Sequence, residues 1–453
     1  MLLPIGTPTV ESSLLDSTSP STAMPKRLRV LVSAYFCSPY KGSESGLGWN
    51  IVSRMSRHHD VTVLCGDLRS EQPTLRDLER YKNESGLPPG LTILHVPPGP
   101  DIRLLNQIHQ WPGLWFVYYE AYRRWQKAAF RAAEMHHREQ PFDLVHHLNI
   151  IGYREPGYLW QLGIPFFWGP VSGAPVVPSA FLADFSPAQK LRWSTRNLIN
   201  NVQKRGTARC LRAARTSEKI WTVSREDREM ACKLWGVEAE AMLETGVKTP
   251  DKAARPLHKQ PGAPLRLVWS GIFLGIKALP LVLRALARLP QGTATLDILG
   301  DGPEAALWDA EITSLGLAGM VKRHGHQPRE AALGIMKQSH VLIHSSVKEG
   351  TPHVILEALS MGLPVICHDA CGMGIAVSDE CGIKVNLIDP TTSIQGFADA
   401  IQLLGKNPEM LTKLSEGALR RAHELSWDHI VNRLYSAYRG NHPPLAQTIG
   451  ESA

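Results

Sequence analysis

Short runs of valine, isoleucine and leucine recur along the chain, spaced widely enough to leave a helix between most of them. In the first half they read RLRVLVSAY, VTVLCG, LTILHVP, FDLVHHLN, IPFFWG and KIWTVS. Within each run the apolar residues are continuous rather than alternating, which predicts strands covered on both faces, as in a parallel sheet. Strands alternating with stretches of helical period predict a doubly wound α/β domain. The pattern stops at TPDKAARPLHKQPGAP, residues 249–264, which has four prolines and no apolar period and reads as an interdomain linker. It restarts with LRLVWSG, ATLDILGDG, HVLIHSS, LPVICHD and GIKV, a second α/β domain. Near the end, SWDHIVNRLYSAYR puts Trp427, Ile430, Leu434 and Tyr438 at helical spacing.

The expected organisation is therefore a disordered tail over 1–25, a Rossmann-like domain over 26–248 and a linker over 249–264. A second domain over 265–425, a closing helix over 426–440 and a tail over 441–453 follow. Two such domains leave a cleft, and open parallel sheets bind ligands at the carboxyl ends of their strands.

Composition narrows this a little. The chain has 453 residues, 43% hydrophobic and 20% charged, with a formal net charge of +7. That excess suits an anionic partner such as a nucleotide, a lipid phosphate or a membrane surface, and it suits an ordinary basic protein equally. Seven scattered cysteines are an odd and sparse set, which argues against a disulfide framework and fits a reducing cytoplasm. The Cys367, Cys371 and Cys381 spacing matches no zinc pattern. Pro156 to Ala183 is 28 residues without an Asp, Glu, Lys or Arg, but its prolines exclude a regular spanning helix. The Ser/Thr/Pro-rich first residues lack the basic head and long apolar core of a signal peptide.

Candidate chemistry collects at strand ends. After HVLIHSS comes VKEG, a loop carrying Glu349. Thr351 is expected to cap the next helix, with Pro352 at its first position. The amides of His353, Val354 and Ile355 would then form an anion site at the positive end of the helix dipole, with Glu357 further along. A carboxylate beside a phosphate site suits sugar hydroxyls. The dipole alone also favours acids early in a helix, so a ligand site and a well-capped core helix both stay open.

Strand Leu265–Trp269 runs into Ser270-Gly271, a loop and Lys277, a lysine able to reach a phosphate as a point charge or to stand solvated in a first turn. SPYKGSESGLGWN, following the first strand, is a glycine-rich loop that lets backbone approach a phosphate or sugar. It lacks the G-x-G-x-x-G spacing of a dinucleotide site. HHLN brings His146 and His147 to a strand end, for a substrate hydroxyl or for structure alone.

Taken in order, GSESGLGW, HHLN…REPGYLW, IPFFWGPVSG, WTVS, SGIFLGIKALPLVLRAL, ILGDGPE, SSVKEGTPHVILEALSMGLPVI and the final SW helix resemble one family. It is the group 1, or family 4, set of retaining glycosyltransferases of GT-B fold, whose E-x7-E signature Glu349 and Glu357 resemble. The resemblance runs from about Arg27 to Tyr438. It implies two Rossmann-like domains facing across a cleft and a hexosyltransferase-type enzyme that needs no cofactor and no divalent metal. Lys277 would hold the donor diphosphate, and the amides of His353 and Val354 its phosphates. Glu349 would take donor-sugar hydroxyls and Glu357 the ribose. Gly46 and Gly48 would line the donor phosphate and acceptor side, and His147 would sit beside donor sugar and acceptor. Gly271 and Thr351 complete the expected donor site. Three positions depart from the family: Ile272 and Ile276 stand where basic residues are common, and Ile375 where a glutamate is.

Residues Lys190 to Lys219 contain nine Lys or Arg and one acid, Glu218, interleaved with Trp193, Leu198, Ile199 and Leu211. Such a surface suits an anionic membrane, and it equally suits an ordinary surface helix with an aromatic core face; no nucleic-acid reading module is visible. The expected partners are a nucleotide-diphosphate sugar and a glycan or lipid-linked acceptor at the cytoplasmic face, in cell-surface polysaccharide or glycolipid synthesis. A GT-B epimerase or phosphorylase, or a non-catalytic module that docks a partner, are the competing readings.

Overall fold

A computed structural model describes residues 26–66, 74–111, 114, 116–250 and 256–440. The expected tails and part of the expected linker lie outside these. The first sheet holds β1 (Arg29–Ala34), β2 (Asp60–Cys65), β3 (Leu91–His95), β4 (Leu144–Asn149), β5 (Phe166–Val171), β6 (Ser217–Thr222) and β7 (Glu240–Ala241). The second holds β8 (Leu265–Ser270), β9 (Ala294–Leu299), β10 (Val321–Gly325), β11 (Val341–His344), β12 (Val365–His368) and β13 (Gly382–Val385). All pairings are parallel. The two doubly wound α/β sheets expected from the apolar runs are present.

Strand order is β3-β2-β1-β4-β5-β6-β7 in one sheet and β10-β9-β8-β11-β12-β13 in the other. The winding reverses between β1 and β4, and again between β8 and β11. At such a switch point the loops leaving neighbouring strands part and leave a crevice. Continuous apolarity has its cause in burial: Leu144 to Asn149 and Val341 to His344 are buried at every position.

β7 and β10 were not legible in the sequence. Both are edge strands, and β10, Val-Lys-Arg-His-Gly, is half solvated and carries no apolar run. The stretch read as a glycine-rich loop after β1 is instead mostly helix, Ser43–Met55. Its glycines serve packing: a Cβ on Gly46 would lie 2.7 Å from the Lys41 carbonyl oxygen, and one on Gly48 2.3 Å from that of Phe36. Both sit inside a helix face pressed on the chain that precedes it.

The final helix, Trp427–Tyr438, returns to the first domain and buries Trp427, Ile430, Val431, Leu434 and Tyr438 with Val30, Val32 and Trp49. The crossing is fixed by polarity as well: the Tyr438 hydroxyl meets His146 Nδ1 at 2.5 Å, and His146 Nε2 meets the Gly169 carbonyl at 2.8 Å. A second tie runs the other way. Val177, Phe181 and Leu182 of the first domain are buried in the core of the second.

Candidate functional site

Lys277 leaves the loop after β8 and Glu349 the loop after β11, so the switch point of the second sheet brings them together. The Lys277 ammonium donates to Glu349 Oε2, and the Ser346 hydroxyl donates to the same oxygen at 3.1 Å. His344 Nε2, at the end of β11, lies 3.7 Å away, too far for a hydrogen bond. Burial alone would raise the Glu349 pKa; the His344 ring and the Lys277 charge outweigh it and hold the carboxyl down at about 2. Burial keeps the His344 pKa below its usual value, against the pull of the Glu349 carboxylate. The Lys277 and Glu349 side chains are only 16% and 22% exposed, which makes this a shielded ion pair rather than a surface one.

Glu349 opens onto a cavity of about 360 Å³. Gly350, Thr351, Pro352 and His353 form one wall, Ser43, Glu44 and Ile151 the opposite wall, and Glu244 and Thr245 the side. Ser43 and Glu44 follow β1, and Ile151 follows β4, so the far wall is the switch point of the first sheet. The Ile151 amide donates to Glu44 Oε1 at 3.3 Å, and Asn149 Nδ2 donates to the Glu44 carbonyl at 3.0 Å. Burial, reinforced by the negative charge of Glu244, pushes the Glu44 carboxyl up to about 7 against the pull of that amide.

Thr351 does not cap the helix, as the sequence suggested. The helix is His353–Ser360, and Pro352 holds the cap position without a side-chain bond. Thr351 is turned toward the linker side: its amide donates to Glu244 Oε1 at 2.6 Å and its hydroxyl to Oε2 at 2.6 Å. Gly350 permits this approach, since a Cβ there would lie 2.4 Å from Glu244 Oε1. A protein carboxylate thus sits against the loop that leads into the helix start. The amides of His353 and Val354 head that helix, where no intrahelical acceptor exists. His353 Nδ1 meets the Thr245 hydroxyl at 3.3 Å.

The other expected site residues lie elsewhere. Glu357 faces Arg329, whose Nη2 donates to Oε1 at 2.6 Å, and it does not line the cavity. His147 is 1% exposed, and neither ring nitrogen makes a hydrogen bond among the described residues. The Glu155 backbone is near it without hydrogen-bond geometry. Burial pushes its pKa down to about 3. Gly46 and Gly48 are packed inside their helix. Gly271 lies against Gly300, where a Cβ would meet the Gly271 carbonyl oxygen at 1.9 Å. Ile272 stands 58% exposed beside this loop.

Glu44 and Glu244 escaped the sequence reading. Glu44 lies inside the quoted GSESGLGW stretch, where the glycines drew attention. Glu244 sits in an unpatterned turn after β7, and nothing local links it to Thr351. Among the described residues, no group of three or more His, Cys, Asp or Glu could hold a metal ion, and no helix is long and apolar enough to cross a membrane.

Residues 254–421 match the family model of the glycosyl transferases group 1. The chain is 32% identical over 174 residues to the D-inositol 3-phosphate glycosyltransferase of Rhodococcus jostii, a stretch covering 36% of this chain and 38% of that relative. It spans less than half the length of such curated relatives. Among solved structures, the lipopolysaccharide outer core galactosyltransferase WaaB, in its apo form, superposes with a TM-score of 0.59 at 14% identity, covering 90% of this chain and 99% of that one. Anabaena HepE in complex with UDP superposes with a TM-score of 0.54 at 14% identity, covering 90% and 98%. The fold is GT-B.

Proposed function

We propose that this chain moves a sugar from a nucleotide-diphosphate donor to a hydroxyl of a glycan or lipid-linked acceptor, with retention at the anomeric carbon; the match of residues 254–421 to the glycosyl transferases group 1 supports the sugar-transfer part of that reading. One observation carries this reading. Lys277 pairs with Glu349 at the switch point of the second sheet, and Glu349 shares a cavity with Glu44, at the switch point of the first. That HepE, a fold neighbour, was solved with UDP supports a nucleotide donor.

In this reading the diphosphate lies against the His353 helix, and Lys277 leaves Glu349 to neutralise it. Glu349, released, accepts hydrogen bonds from donor-sugar hydroxyls. The acceptor enters along the Glu44 wall. Its oxygen bonds to the anomeric carbon on the face from which the phosphate oxygen departs. The bonding pair goes to that oxygen, which also receives the acceptor proton. Fixed donors around the leaving diphosphate act where charge develops, and no divalent metal is invoked. With Ile272 exposed in place of a cation, Lys277 carries more of that charge alone. Glu357 takes the ribose only after parting from Arg329. The acceptor belongs to cell-surface polysaccharide or glycolipid synthesis at the cytoplasmic face of an anionic membrane.

The test is thermal stability of the full chain against UDP, GDP, ADP and CDP and their sugar conjugates, with and without EDTA. Ligand that binds only the folded state must raise the melting temperature. A shift with one base, indifferent to EDTA and lost in Lys277→Ala, supports the reading. Absence of any shift overturns it in favour of a non-catalytic module. For an active preparation, the anomeric configuration of the product decides retention.

A further inference from the structure

The helix Pro187–Gln203 is turned inside out. Its inner face is mostly polar, with Trp193 packed against the core of the second domain: Asn197 Nδ2 donates to the Val177 carbonyl at 2.7 Å, Asn200 Nδ2 to that of Ala174 at 3.1 Å, and Gln189 Nε2 to Glu304 Oε1 of the second domain at 2.7 Å. Its outer face is apolar: Leu191 is 70% exposed, Leu198 67%, Val202 64% and Ile199 47%. At 3.6 residues per turn these four form one stripe, since they fall at i, i+7, i+8 and i+11. Exposed Arg192 and Arg196 run along one flank and exposed Lys190 along the other.

We propose that this stripe is a membrane-docking surface, seated in the headgroup region of a bilayer rich in anionic phospholipid. The inference deepens the membrane-facing acceptor proposed above by naming the surface that meets the lipid. An ordinary amphipathic helix hides its apolar side; here hydrogen bonds and the single packed ring of Trp193 hold the helix down and leave the aliphatic stripe for something outside the chain. The flanks select the occupant. A second copy meeting this face about a two-fold axis would bring like cations together, whereas anionic headgroups neutralise them. The neighbouring helix Ala208–Thr216 extends the positive ground with exposed Arg212 and Arg215. The helix Pro187–Gln203 touches the site: Lys348, next to Glu349, places Nζ 5.7 Å from the Trp193 ring centre, and it donates to the Pro175 carbonyl at 2.6 Å. A docked helix would therefore set the cleft close to the bilayer, where a lipid-linked hydroxyl is presented.

The experiment is co-sedimentation of the full chain with vesicles of phosphatidylcholine alone and of phosphatidylcholine with phosphatidylglycerol. The expected result is binding to the anionic vesicles, weakened by salt. In the triple variant Leu191→Ser, Leu198→Ser, Val202→Ser it falls by on the order of tenfold or more. Leu307→Ser, an equally exposed apolar site on the second domain, should bind as the parent does. The double charge reversal Arg192→Glu, Arg196→Glu should also release the protein, and it guards against misfolding of the triple variant. Failure to bind anionic vesicles, or binding indifferent to both variants, overturns the proposal. So does a dimer in light scattering that the triple variant converts to monomer, since the stripe would then be a self-contact. Nucleotide-induced melting shifts without lipid read the donor site separately, so the two proposals fail independently.

Discussion

Glu244 donates nothing to the site it lines: both its oxygens accept from Thr351, one from the amide and one from the hydroxyl, at 2.6 Å each. A carboxylate thus holds ground beside the place a donor diphosphate needs. Glu244→Gln keeps one acceptor for Thr351 and removes the charge. Affinity for a nucleoside diphosphate should rise about threefold to tenfold, while stability falls by about 1 kcal/mol. Calorimetric titration and urea unfolding measure the two. Unchanged or weaker affinity would mean that Glu244 does not oppose the donor.

Lys277→Ala should act in two ways. It leaves the shielded Glu349 carboxylate without its cation, at a cost of roughly 2–3 kcal/mol, and it lowers nucleotide-diphosphate affinity by on the order of 10–100-fold. Adding Glu349→Gln should restore stability without restoring affinity. If the double variant regains neither, the pair is not the coupled unit drawn here.

Two carboxyls give opposite pH dependence. Glu44 is raised to about 7, so its contribution is present below the ordinary carboxylate range and is lost as pH rises through about 7, by up to ~3 kcal/mol. Glu349 is held at about 2, so its contribution is present above the ordinary range and is lost as pH falls from there toward 2. Asp227, also raised to about 7 by burial, shares the upper window. Comparing the parent with Glu44→Gln therefore isolates Glu44: the variant should lose less stability between about pH 5 and about pH 8. Parallel urea-midpoint curves for the two proteins would count against a buried Glu44.

Gly48→Ala should destabilise the fold by about 2–4 kcal/mol, because the new Cβ meets the Phe36 carbonyl oxygen at 2.3 Å inside a packed helix. Gly42→Ala, with open space at that position, should cost far less. Thermal melts of the two variants side by side check this.

The sequence by itself determined the sheets, because a strand covered on both faces must be apolar throughout, and RLRVLVSAY or HVLIHSS can be little else. It also located Lys277 and Glu349, since residues that follow central strands of a wound sheet are delivered to its crevice whatever their neighbours. It could not show that Thr351 would turn from capping its helix to bind Glu244, because that competition is settled by a residue 107 positions away. Nor could it separate Glu44, which lines the cavity, from Gly46 and Gly48, which pack on the chain preceding the helix. Gly46 lies about half a turn from Glu44 and Gly48 about one turn, and only the packing of Ser43–Met55 against the preceding chain decides which of them meets the cavity. The same holds for Pro187–Gln203. Its composition announced an amphipathic helix, but which face would be buried was decided by the polar anchors Asn197 and Asn200, whose partners exist only in the folded chain.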